Sequence, residues 1–80
     1  MRLDKYLKVS RIIKRRTVAN EACDAGRVLV NGKIARASYE VKVGDILEIA
    51  MGAHPVKAEI MSISEYAKKD QAGMMYRIIS

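Results

Sequence analysis

Four cations stand within Ser10-Arg11-Ile12-Ile13-Lys14-Arg15-Arg16-Thr17, directly before a stretch that reads as a helix. An arginine fork matches two phosphate oxygens at once, and the free amides and positive dipole end of a helix favour the same anion. Arg2, Lys5 and Lys8 precede this run, and Arg27 follows it at the start of a β-rich segment. Residues 2–16 hold seven basic side chains and only one acidic one, Asp4, so they repel one another unless a polyanion is present. Arg16 is the expected hot spot, placed beside the first amides of the helix. Because its removal relieves repulsion, alanine there should leave the thermal midpoint level or raise it.

Other chemistry finds little support. The chain has no Gly-rich phosphate loop, no Cys/His ligand cluster and no nucleophile beside a base, so neither catalysis nor a cofactor or metal is expected. Cys23 falls on an apolar stripe and reads as packing, and a single cysteine suits a reducing cytoplasm. His54, beside Pro55, reads as a loop residue. Met51, Met61, Met74 and Met75 read as gap fillers. Tyr39, Tyr66 and Tyr76 could stack on bases, whereas Tyr6 shares the Leu3 and Leu7 face and should be half buried.

Eighty residues imply one domain spanning 1–80. An apolar content of 50% with a mean hydropathy of -0.08 fits a folded chain, and no apolar run reaches the ~20 residues of a membrane span. The opening Met1-Arg2-Leu3-Asp4-Lys5 does not look like a secretion signal. The net charge of +6 is uneven: residues 1–36 carry +7 and residues 37–80 carry −1. That asymmetry is the footprint of a face that meets nucleic acid.

These cations need elements to position them. Leu3, Tyr6 and Leu7 recur at helical spacing, which predicts a helix near 2–9, with Ile12 and Ile13 tucking the next connection onto the core. Thr17 reads as the N-cap of a second helix carrying Val18, Ala19, Ala22 and Cys23, ended by a left-handed Gly26. Val28-Leu29-Val30 is a strand, Asn31-Gly32 is a type I′ turn signal, and Lys33-Ile34-Ala35 should return antiparallel. Gly44-Asp45 makes a turn after Val41 and Val43. Strands are expected from Ile46 to Met51, over 56–63, and from Tyr76 to Ile79, with 65–71 a loop or short helical turn. The fold class is α+β, two N-terminal helices packed on a small bent antiparallel sheet.

The pattern Arg2-Leu3-Asp4-Lys5 with Leu7, Ser10-Arg11, Arg15-Arg16-Thr17, Gly26-Arg27-Val28-Leu29-Val30-Asn31-Gly32-Lys33, Ala37-Ser38 and Val43-Gly44-Asp45 resembles the S-four RNA-binding domain. It covers roughly residues 1–50, leaving 51–80 as a β extension that completes the sheet. Among S-four proteins the chain looks most like the RqcP-type family of bacterial ribosome-associated quality-control factors. It is related to the fifteen-kilodalton ribosome-associated heat-shock family, without that family's longer basic C-terminal extension.

The resemblance implies a monomeric, non-catalytic factor that binds large ribosomal subunits obstructed by peptidyl-tRNA. It would contact ribosomal RNA and hold the tRNA while an RqcH-type partner adds alanine tails. It places RNA contacts on Arg2, Lys5, Ser10, Arg11, Arg15, Arg16, Thr17, Arg27, Asn31, Lys33 and Ser38, with Asn31 equally suited to a purely structural place in its turn. Leu3, Leu7, Val18, Ala22, Val28 and Val30 are core. The alternatives are a general large-subunit recycling factor and the RNA-binding appendage of a tRNA- or rRNA-modifying enzyme. A DNA-binding helix-turn-helix fits poorly, since its inter-helix turn would hold a dense cationic run.

Overall fold

In the computed structural model, residues 1–50, 53, 55–64 and 72–79 are described. Two helices, α1 (Leu3–Val9) and α2 (Arg16–Asp24), precede five strands: β1 (Val28–Val30), β2 (Lys33–Ile34), β3 (Ile46–Ile49), β4 (Val56–Ile60) and β5 (Tyr76–Ile78). The strands form one antiparallel sheet in the order β2-β1-β3-β4-β5. The expectations for Met51, His54, Tyr66 and 65–71 lie outside the described residues.

Seven residues are too few for an isolated helix, so α1 depends on its surroundings. Leu3, Tyr6 and Leu7 are fully buried against Val28, Leu47, Ile49 and Ile60 from the sheet. Each such side chain contributes roughly 1.5–3 kcal/mol of burial. Tyr6 goes further in than the half burial expected of it, because its hydroxyl finds an acceptor: it donates to the Met75 carbonyl at 2.7 Å. The start of α1 has no side-chain cap. Instead the Leu3 and Asp4 amides donate to the carbonyls of Tyr39 (2.7 Å) and Ala37 (3.2 Å), and Val41 N–H donates to Met1 O at 3.0 Å. Residues 37–41 thus serve as the cap and bind β-type backbone to the helix entry.

α2 starts two residues earlier than expected. Arg15, not Thr17, is the N-cap, and no side chain caps the helix. Its far end is as expected: Gly26 has φ +76°, Gly26 N–H donates to Cys23 O (3.0 Å) and Arg27 N–H to Ala22 O (2.9 Å), the paired bonds of a Schellman motif. Ala19, Ala22 and Cys23 are buried, while Val18 is half-buried rather than core.

The Asn31-Gly32 turn has the expected positive φ at both positions, +53° and +83°, joining strands in register Val30 with Lys33 and Leu29 with Ile34. Ile13 is buried and Ile12 half-buried against the core, as the sequence suggested. Of the described methionines, Met75 is buried, but Met61 and Met74 are exposed and fill nothing. β3 and β4 end earlier than expected, at Ile49 and Ile60.

Candidate nucleic-acid interface

The cationic face is organised around an anion. The Asp4 side chain is 3% exposed and lies between two arginines: Arg2 Nε is 3.3 Å from Oδ1, and Arg16 Nε is 3.3 Å from Oδ2. Asn20 Nδ2 donates to Oδ2 at 3.2 Å, and the Lys5 amide donates to Oδ1 at 2.8 Å. Burial works against the carboxylate, but the hydrogen bonds from Asn20, Arg16 and the Lys5 amide, with the Arg16 charge, outweigh it. Its pKa therefore lies below the ordinary carboxylate value. Both arginines remain about half exposed, at 51% and 47%. Arg16, Thr17, Asn20 and Glu21 line a shallow groove with Asp4 at its base.

This geometry corrects the expectation for Arg16. It belongs to the first turn of α2 and partners a buried carboxylate, so its loss removes support from Asp4 as well as relieving repulsion. The stability of Arg16→Ala should fall rather than hold.

The contacts implied by the family resemblance fall into groups. Arg2, Arg16 and Thr17 come together around Asp4. Arg11 and Arg15 are exposed in the connection between the helices, and Arg11 has a left-handed backbone, φ +64°, in the position after the α1 C-cap where glycine is usual. Lys5 is half-buried. Lys33 and Ser38 are exposed along a second groove with Ile34, Arg36 and Tyr39, and residues 37–41 connect that groove to Arg2 through the Arg2–Glu40 bridge. Arg27 is exposed but stands beyond the opposite end of α2, about 13 Å of helix away from Arg16.

Two of the expected contacts are occupied by the fold. Ser10 is 1% exposed and its hydroxyl donates to the Leu7 carbonyl at 3.3 Å, so the C-terminal end of α1 uses it and no surface is left for RNA. Asn31 is locked to β3: its Oδ1 accepts from Ile46 N–H (3.0 Å), and its Nδ2 donates to Asp45 Oδ1 (3.1 Å). Asp45 in turn accepts from Tyr39 Oη (3.3 Å) and Lys42 N–H (2.9 Å). Desolvation, with the charge and hydrogen bond of Asp45, raises the Tyr39 pKa, so the phenol stays protonated and keeps donating.

Sequence reasoning missed Asp4 and Arg36 as parts of the interface. Asp4 had a signal, the lone acid among seven bases. Cys23 is buried, and desolvation, with the Asp4 and Asp24 charges, pushes its thiol up to about 11, which keeps it protonated and unreactive near neutrality. Among the described residues there is no group of three or more His, Cys, Asp or Glu side chains that could hold a metal, and no helix is long and apolar enough to cross a membrane.

The S4 domain family matches residues 1–47. Over its full length the chain is 52% identical to a Streptococcus pneumoniae protein named RQC P-site tRNA stabilizing factor, covering 91% of that protein. A Listeria monocytogenes protein of the same name is 57% identical over 79 residues, 99% of this chain and 86% of the relative. Among solved structures, heat shock protein 15 of Vibrio cholerae, described as trimeric, superposes with a TM-score of 0.92 at 30% identity, covering 100% of this chain and 82% of that one.

Proposed function

The chain belongs to the S4 domain family, and from that premise we propose that it is a non-catalytic RNA-binding factor of ribosome-associated quality control. It binds large ribosomal subunits that still hold peptidyl-tRNA and steadies the tRNA in the P site; relatives about half identical over nearly the whole chain are named RQC P-site tRNA stabilizing factor. An RqcH-type factor then extends the stalled peptide. The chain acts as a cytoplasmic monomer. Residues 1–50 form the RNA-binding part, and β4 and β5, from the 51–80 extension, complete the sheet.

One observation carries this reading: Arg2, the N-cap of α1, and Arg16, in the first turn of α2, are held on either side of one buried carboxylate and remain half exposed. Arg11, Lys14 and Arg15 extend the same charge along the connection, and the uncapped start of α2 adds amides that favour phosphate. Lys33, Arg36 and Ser38 broaden the surface beyond Arg2. Arg2, Lys5, Arg11, Arg15, Arg16, Thr17, Arg27, Lys33 and Ser38 are the proposed contacts.

The test compares purified large subunits with and without peptidyl-tRNA. Preferential binding to the loaded subunits, with slower loss of their tRNA when the protein is added, is expected. Equal binding to both, with no effect on tRNA retention, would favour general subunit recycling. No binding to either would overturn the reading.

A further inference from the structure

A protein that binds RNA through a cationic face gains nothing directly from a carboxylate at its centre, since the carboxylate repels phosphate. Burying the carboxylate also removes its hydration, which a small core replaces only with well-placed donors. Asp4 nevertheless stands there, 3% exposed, with each oxygen assigned: Oδ1 to Arg2 and the Lys5 amide, Oδ2 to Arg16 and Asn20.

Its backbone is also fixed, because Asp4 N–H donates to Ala37 O at 3.2 Å. Each arginine approaches with Nε, and a guanidinium carries four further N–H donors on its two terminal nitrogens. An arginine tethered at Nε has fewer rotamers to lose when those terminal nitrogens engage a ligand.

Resting on the RNA-binding reading above, we propose that Asp4 is a positioning residue: it holds Arg2 and Arg16 as a two-armed clamp for the sugar–phosphate backbone of RNA. The acid touches no RNA. It converts two flexible cations, from α1's N-cap and α2's first turn, into a preformed pair, and the lowered Asp4 pKa keeps the tether charged at neutral pH.

The proposal separates cleanly from a net-charge effect. Asp4→Asn keeps the shape, leaves an oxygen to accept hydrogen bonds and makes the binding face more positive by one charge. If charge alone set affinity, this variant would bind large subunits carrying peptidyl-tRNA more tightly. The clamp requires the opposite, about tenfold weaker binding under conditions where circular dichroism shows the variant folded, the loss expected for charge-assisted contacts that must reform. Glu59→Gln makes the same charge change beside Arg77 on the outer sheet face and should leave binding level or slightly tighter. In an Arg2→Ala/Arg16→Ala background, Asp4→Asn should add no further loss.

A measurement on the wild-type protein covers the case in which Asp4→Asn fails to fold. Nitrogen relaxation at arginine Nε in the free protein should show Arg2 and Arg16 restrained relative to Arg11 and Arg15. Equal mobility of all four, or an Asp4→Asn protein that is folded and binds as well as wild type, overturns the clamp. A wild-type protein that ignores these subunits overturns the RNA reading instead, and the relaxation data still decide whether the arginines are held.

Discussion

The two faces of this molecule use ion pairs in opposite ways. On the outer face of the sheet each acid has one base directly across from it: Glu48 with Lys57 at 3.5 Å, and Glu59 with Arg77 at 2.7 Å. These are cross-strand neighbours, and their charges cancel. On the helical face a single buried acid faces two arginines, with Arg11, Lys14 and Arg15 nearby, so positive charge is left over. Balanced pairing makes a soluble surface. Unbalanced pairing around a buried anchor makes a surface that needs a polyanion, and the anchor decides where the surplus points.

The strongest way to break this comparison is to remove the surplus. Arg2→Ala with Arg16→Ala should weaken association with large subunits by about 3 kcal/mol, the sum of two lost charge-assisted contacts. It should also lower the thermal midpoint, because Asp4 stays buried but loses both arginines, keeping its bonds from Asn20 and the Lys5 amide. A normal midpoint would mean that the arginines do not support Asp4.

The acid limb of the stability curve sharpens the same point. Asp4 has a folded pKa below its ordinary value of 3.8, so the stability linked to its charge is fully present above that value. It is lost as pH falls from about 4 through the lower, folded-state pKa. Acid unfolding of Asp4→Asn should therefore lack this component. Identical acid limbs in the two proteins would contradict the assignment.

Arg11 offers a smaller effect with a distinctive sign. A left-handed arginine is strained by roughly 1–2 kcal/mol, partly offset by the greater freedom of glycine in the unfolded chain. Arg11→Gly should be as stable as wild type or up to about 1 kcal/mol more so, yet bind subunits less well. If it is destabilised, the backbone is not strained there; if binding is unchanged, the strain has no link to RNA.

The smallest effect belongs to the outer face. Exposed pairs contribute little, so Lys57→Ala should change stability by no more than about 0.5 kcal/mol and leave subunit binding intact. A loss of binding comparable to that from the helical arginines would erase the distinction between the faces.

What could be read from the sequence was local. Asn31-Gly32 and Gly26 declare themselves because positive φ selects residue types within the turn, and Leu3, Tyr6 and Leu7 declare α1 by their spacing. What escaped is assembled from distant positions. Asp4 meets Arg16 and Asn20 only when α1 and α2 pack, and nothing about residues 37–41 announces that their carbonyls will cap α1. With Arg15 at the N-cap of α2, Thr17 falls inside the first turn and not in the role its hydroxyl suggested. Ser10 looked like a polar ligand because sequence gives the residue type and not the depth. Met61 and Met74, apolar by type, lie exposed for the same reason.

The central claim is that the helical face binds ribosomal RNA by displacing counterions from phosphates, with Arg2 and Arg16 as its fixed pair. The most direct measurement is the salt dependence of affinity for large subunits carrying peptidyl-tRNA, for wild type and for Arg2→Ala/Arg16→Ala. With about five phosphate contacts the wild-type log–log slope should be several units in magnitude, and the variant's should be shallower by roughly two. A slope near zero for the wild type, or the same slope for both proteins, would contradict the account.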